Sequence, residues 1–281
     1  MNKTTIKRDG ASVSVYLDGP RWENRPCATL GAFSCKVAEA GRAVLADALK
    51  HVKEAGIDRV IGPMNGDTWH SYRFVTETDG SPPFLLEPTN KPQDAELFRE
   101  AGFAPISQYF SARVPLIEAA RNTPAPAKTF EIETWNGDDP EGLFAQVFDV
   151  SVRAFAGNAF YKPISRQDFL AMYMPVVPMI RKDLIFFARG ADGSLAGFLF
   201  GIPNYAEGPQ TKTVILKTYA SLVKGAGQHL AYCFHKAADQ AGFDTAIHAL
   251  IHADNLSALR SAAEGADVFR RYTLFGLRLD G

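Results

Sequence analysis

Residues 216–255 read LKTYASLVKGAGQHLAYCFHKAADQAGFDTAIHALIHADN. Ile215 to Ala220 is apolar and β-branched enough for a strand, Lys224-Gly225-Ala226-Gly227 opens an amphipathic helix, and a second strand then runs into a polar cluster ending at Asn255. A helix that starts on glycines lets its backbone approach a ligand closely. Its unpaired N–H groups and the positive end of its dipole suit an anion without any cationic side chain. A phosphate-bearing cofactor is therefore expected at this junction.

The rest of the 281 residues sets the frame. A hydrophobic share of 46% is ample for packed cores in one large or two ordinary domains. Thirty Lys and Arg against 31 Asp and Glu leave a net charge of -1, with no basic run, so neither a nucleic-acid nor a membrane partner is expected. The three cysteines, Cys27, Cys35 and Cys233, form no Cys-x-x-Cys pair, which argues against a disulfide framework and a structural zinc site. The first residues lack the apolar core of a signal peptide and no run approaches a membrane span, so a cytoplasmic protein is expected.

Upstream, Ser12 to Leu17 and Ala28 to Cys35 read as strands. Val37, Gly41, Val44, Leu45, Leu49 and Val52 mark one face of a helix ending at Gly56, and Ile57 to Ile61 is a buried strand. Gly62 to Phe74 has no period. A helix from Pro92 or Gln93 to Ala101 and a strand from Ser107 to Val114 precede NTPAPAK, residues 122–128, which reads as a semi-rigid connector. Domains are accordingly expected at 1–121 and 129–281. The second holds a strand at Phe130 to Trp135, helices at Gly142 to Phe155 and Arg166 to Tyr173, a hairpin turning at Ala191-Asp192-Gly193-Ser194, and a last strand from Val268 to Leu279 with a break possible at Gly276.

The two halves also repeat. Gly41 to Gly56 and Gly227 to Gly242 are both intervals of fifteen residues, followed by EAGIDRVI from Glu54 and QAGFDTAI from Gln240. Each half then reaches a further Gly, at 102 and 265, with a tyrosine seven residues on, Tyr109 and Tyr272. The competing explanation is that two glycine-terminated helices of about four turns share a length by chance.

This order of elements resembles the GNAT superfamily of N-acyltransferases, over both halves. The family's pyrophosphate signature, Arg/Gln-x-x-Gly-x-Gly/Ala, falls on Leu222-Val223-Lys224-Gly225-Ala226-Gly227; the glycines match, the leading residue does not, and the loop before Lys224 is a few residues short. GPMN from Gly62, AIHALIHADN from Ala246 and FRRYTLFG from Phe269 look like a bacterial group of tandem GNAT-like proteins. The resemblance implies an α/β fold of two tandem GNAT-like domains, each a mostly antiparallel mixed sheet with a central V-shaped splay flanked by helices. It also implies acetyl-CoA or another acyl-CoA as co-substrate, a small-molecule amine as acceptor, direct transfer, and no metal. Ala220, Ser221, Lys224, Gly225, Ala226, Gly227, Gln228 and Asn255 would hold the cofactor. In the first half Glu39 stands at the pyrophosphate position, so that copy is not expected to bind CoA.

Ser261 occupies the place where family members carry the tyrosine that protonates the leaving thiolate. Tyr272 and His252 are then the candidates for acid and base, with Asp254 beside them. Tyr272 also reads as a core or rim aromatic, and His252 with Asp254 as a cap on the helix after Asn255. His248 and His252 lie about 13 Å apart along a strand, too far for one metal. Asn158, Tyr161 and Lys162 fall where the resemblance places the acceptor pocket. Trp69, His70, Tyr72 and Arg73 read either as a substrate wall or as the contact between halves. Cys35 and Cys233 read as packing residues. The alternative to an enzyme is a non-catalytic tandem GNAT-like module that binds a ligand or partner.

Overall fold

A computed structural model describes residues 3–123, 125–126 and 130–280. The first half begins with an antiparallel meander, β1 (Lys3–Arg8), β2 (Ala11–Tyr16) and β3 (Ala28–Ser34). Helix α1 (Ala38–Glu54) crosses over to β4 (Arg59–Gly62), parallel to β3, and β5 (Phe74–Thr78), α2 (Pro92–Glu100), β6 (Ala104–Pro115) and α3 (Leu116–Asn122) follow. The second half runs β7 (Glu131–Thr134), α4 (Pro140–Phe155), α5 (Arg166–Tyr173), β8 (Ile185–Arg189), β9 (Leu195–Pro203), β10 (Thr213–Ser221), α6 (Ala226–Gln240), β11 (Thr245–His252), α7 (Leu256–Ala263) and β12 (Asp267–Arg278).

Most elements expected from periodicity are present. Asp139 accepts from the Gly142 amide and Pro140 opens α4, while Ser165 caps α5, so these helices start where capping chemistry puts them. Val37, expected on the inner face of α1, is its exposed N-cap instead; the buried face is Ala40, Gly41, Val44, Leu45, Ala48 and Val52. β12 passes through Gly276 without the expected break, because Phe275 to Arg278 pair with β4. Among the strands and α-helices of the described residues, β1, which is mostly exposed on both faces, β5 and α3 were not expected. Cys27 and Cys35 are buried, while Cys233 is only half-buried. The 122–128 connector falls partly on residues outside the described ones. No helix among the described residues is long and apolar enough to cross a membrane.

The strands form one mixed sheet in the order β1-β2-β3-β4-β12-β6-β11-β10-β9-β8-β7, with β5 also on β12. Its centre is an exchange. The last strand of the first half, β6, pairs with β11 of the second, and the last strand of the second half, β12, pairs with β4 of the first. β6 and β12 pair antiparallel with each other, and the repeated tyrosines Tyr109 and Tyr272 are direct register partners at that seam. Helices α1 and α2 close one apolar core with β2 and β3; α3 and α6 close another with β8 to β11. On the opposite face of the second half, α4 and α5 pack on β8, β9 and Ala220.

Candidate active site

β10 and β11 are paired in parallel only from Thr213↔Thr245 to Leu216↔His248. Beyond that point β10 continues to Ser221 paired with β9, and β11 continues to His252 paired with β6. The two strands therefore diverge. Register shifts mark the divergence on both sides, between Leu216 and Thr218 and between His248 and Ile251, and Leu250 takes a left-handed φ of 57°. A bulge adds a residue to one strand and bends it, so paired bulges open the sheet at its middle.

The wide end of the opening leads to α6. Gly225 is the helix N-cap with φ 96°, a conformation that favours glycine, and no side chain caps the helix there. Ala226 and Gly227 are buried in its first turn, next to Gln228, while Ser221 and Lys224 are exposed at the rim. A Cβ placed on Gly227 would lie 3.1 Å from Arg260 Nη1, 3.2 Å from Ser221 Oγ and 3.3 Å from the Tyr219 ring. Arg260, on α7, thus brings a guanidinium to the donor end of α6, where the loop itself has Leu222. Local sequence carried no signal for this, because Arg260 lies 33 positions beyond Gly227. Asn255 is the exposed N-cap of α7, and its side chain makes no capping bond.

On the other face of the splay, residues 84–87 of the first half cover β10. Phe84 packs with Ile215, Ile247 and Phe269, the Leu85 amide donates to Asn204 Oδ1 at 2.8 Å, and Lys217 Nζ donates to the Leu86 carbonyl at 3.3 Å. Burial pushes the Lys217 ammonium down to about 8, the Arg73 charge adds to this, and Glu87 opposes it. Arg73 donates to the Leu250 carbonyl at 3.3 Å and lies over the rings of Tyr72 and Tyr109.

Tyr272 is fully buried. The Leu250 amide donates to Ser111 Oγ at 2.9 Å, Ser111 is 2.9 Å from the Tyr272 phenol, and the phenol donates to Glu87, which also receives Arg270 at 2.7 Å. Burial raises the phenol pKa, and the Glu87 bond raises it further. Tyr272 is therefore tied to the open edge of β11 through Ser111. His252 has both ring nitrogens engaged: Nδ1 accepts the Asp254 amide at 3.1 Å, and Nε2 lies 3.0 Å from Ser107 Oγ. Ser261 is buried and lies 2.9 Å from His248 Nδ1.

Trp69 sits between the halves. Its indole donates to the Lys162 carbonyl at 2.9 Å, and its ring meets Phe155, Tyr161 and Phe169 edge-on. His70 is held by Asp67 at 2.7 Å, and that hydrogen bond raises the imidazole pKa. Asn158 and Tyr161 share one turn, the Tyr161 amide donating to the Asn158 carbonyl at 3.2 Å.

The matching place in the first half is closed. β3 and β4 pair only at Ala28↔Val60 and Thr29↔Ile61. Beyond these pairs the Met64 amide donates to the Leu30 carbonyl, the Ala32 amide to Asn65 Oδ1 at 2.7 Å, and the Gly66 amide to Thr29 Oγ1 at 3.2 Å. At the head of α1, Leu97 of α2 and the Cys35 thiol crowd Gly41, and Lys91 donates to the Cys35 carbonyl.

No protein-family model and no curated protein matches the sequence. Solved structures match across nearly the whole chain. A tandem GNAT protein from the clavulanic acid biosynthesis pathway aligns over 97% of this chain and 81% of its own, at 13% identity and a TM-score of 0.56. A GCN5-related N-acetyltransferase from Sphaerobacter thermophilus aligns over 96% and 77%, at 12% identity and 0.56. A probable N-acyltransferase from Enterococcus faecalis aligns over 96% of this chain but only 59% of its own, at 10% identity and 0.59. The chain thus has the tandem GNAT fold, a mixed sheet flanked by helices.

Proposed function

We propose that this protein is an N-acyltransferase that takes acetyl-CoA, or another acyl-CoA, and transfers its acyl group directly to a small-molecule amine. The observation that carries this reading is the splay between β10 and β11, opening onto the uncapped, glycine-led start of α6. A parted strand edge offers backbone groups to the amide-rich pantetheine arm, and the helix start offers N–H donors to the pyrophosphate. Ala220, Ser221, Lys224, Gly225, Ala226, Gly227 and Gln228 would line this path, with Asn255 at its far rim. Arg260 would supply the positive charge that Leu222 does not. We propose the boundaries 1–121, 122–128 and 129–281 as the limits of the two repeats and their connector, the strand exchange being added on top.

In the proposed reaction a neutral amine attacks the thioester carbonyl, the oxyanion is met by backbone N–H groups near Ala220, and the CoA thiolate leaves. Lys217, held near pH 8, suits the removal of a proton from the incoming ammonium. Tyr272 and His252 keep a place in the proposal as groups that shape the strand edge, through Ser111 and through the Asp254 turn. Asn158, Tyr161, Trp69 and His70 form the proposed acceptor wall, which also joins the halves.

A ligand that binds only the folded state raises the Tm with its concentration. Acetyl-CoA at millimolar concentration is expected to do so, and the absence of any shift with acetyl-CoA or CoA would refute the reading. The second reading, a non-catalytic CoA-binding module, is favoured by the engagement of both His252 nitrogens and the burial of Tyr272. Thiol release from acetyl-CoA over a panel of amines separates the two, since the module binds without releasing thiol.

A further inference from the structure

His235 on α6, His248 on β11 and Glu264 just past α7 are far apart in sequence but meet in the fold. His235 Nε2 lies 3.1 Å from His248 Nε2, and Glu264 Oε2 is 4.0 Å from the first and 3.6 Å from the second. All three side chains are buried. We infer that these three atoms form a binding site for one divalent transition-metal ion, of which Zn2+ is the type best suited to two imidazoles and a carboxylate.

Geometry and proton placement both support the site. A triangle with these sides has one point about 2.1 Å from every corner, the length of Zn–N and Zn–O bonds. The outer ring nitrogens are held as they are in metal-bound histidines, His235 Nδ1 3.1 Å from Thr123 Oγ1 and His248 Nδ1 2.9 Å from Ser261 Oγ. Thr123 has one hydroxyl proton, and its shortest contact, 2.6 Å, gives that proton to the Ala119 carbonyl. It therefore accepts from His235 Nδ1–H, and neutral His235 turns an unprotonated Nε2 toward the centre. The carboxylate oxygen of Glu264 brings a second electron pair to the same point. A His248 Nε2 proton satisfies one of these pairs; a dication satisfies all of them, and its second positive charge leaves room for a fourth, solvent-derived ligand.

Placement gives the site a purpose independent of the acyl-transfer reading. His248 is the last paired residue before β10 and β11 part, and the cluster joins that vertex to α6 and α7, with Thr123 adding the end of α3. An ion here would lock the helices against the point where the sheet opens.

The test uses the full chain, stripped with a chelator, dialysed, and titrated with ZnCl2 and separately with CoCl2. The expected results are about one tightly held ion per chain, a Tm raised by several degrees with Zn2+, and visible Co2+ bands of tetrahedral or five-coordinate intensity. Glu264→Gln and His235→Gln should each lower Zn2+ affinity by at least a hundredfold. Less than a tenth of an equivalent bound by a folded wild-type chain, with no Co2+ spectrum, would overturn the proposal and leave a hydrogen-bonded His–His pair. Because the Co2+ spectrum is read on the wild-type chain, failure of either variant to fold does not blunt the test. Acetyl-CoA stabilisation is measured separately, so failure of one reading does not touch the other.

Discussion

Two parallel strand pairs, β3 with β4 and β10 with β11, are built to the same plan, each joined by a helix that ends in glycine fifteen residues after a glycine in its first turn. They differ in what happens past the last paired residue. In the first half the GPMN segment crosses the gap, its Met64 amide and Asn65 side chain satisfying the backbone of β3. Gly31 makes this possible, since a Cβ there would stand 2.5 Å from the Met64 carbonyl oxygen. Among the described residues of the second half no such segment crosses. β11 turns away through Leu250, whose amide and carbonyl are taken by Ser111 and Arg73. One opening is closed into a structural joint and the other is a candidate site. Residues 84–87 and Trp69 of the first half wall in the open half.

The sharpest test of this contrast is at the start of α6. Gly227→Glu places a carboxylate among Arg260, Ser221 and the helix donors, and should remove acetyl-CoA stabilisation completely while the free variant still melts cooperatively. A shift that survived would mean the anion site lies elsewhere. Next in size, Gly31→Val forces β3 off Met64 and should cost about 1–3 kcal/mol, as overpacking commonly does. Urea unfolding measures it, and acetyl-CoA affinity should stay within twofold if the first half only supports the second.

Arg260→Gln should weaken acetyl-CoA about tenfold, or about 1.4 kcal/mol, with a smaller effect on pantetheine, which carries no phosphate; calorimetric titration distinguishes the two. Asn65→Ala deletes one exposed staple bond and should cost about 1 kcal/mol with no change in ligand affinity. The smallest effect concerns Lys217. Its folded pKa of about 8 lies below the unfolded value of about 10.4, so between these limits the unfolded chain binds more protons and stability rises with pH. Lys217→Met should flatten that rise in urea titrations at successive pH values, and should also lower the rate of acyl transfer if Lys217 is the base.

Local chemistry made much of this architecture legible. The α6 junction was readable because a glycine-led, amphipathic helix between two apolar strands has few other solutions, and the hairpin at residues 191–194 because its turn residues are distinctive. β1 escaped because its sequence, KTTIKR, carries one apolar residue and buries almost nothing, so hydrophobic periodicity has no signal there. The candidate site was half legible. Its backbone donors follow from the motif, but Arg260, Lys217 and Arg73 reach it from separate elements. The sequence pairs His248 with His252 on one strand face. The register shift between them leaves His252 against Ser107 and Tyr109 and turns His248 toward His235, one α-helical crossover away.

The sequence by itself determined most of the order of strands and helices and the glycine-led start of α6, because these depend on side-chain period and on glycine, both local. Only the tertiary structure decided which opening is closed, that β6 and β12 change places, and that two histidines and a glutamate converge. Each of these depends on which distant surfaces bury each other, and pairing energies of that kind are shared among residues that no local pattern connects.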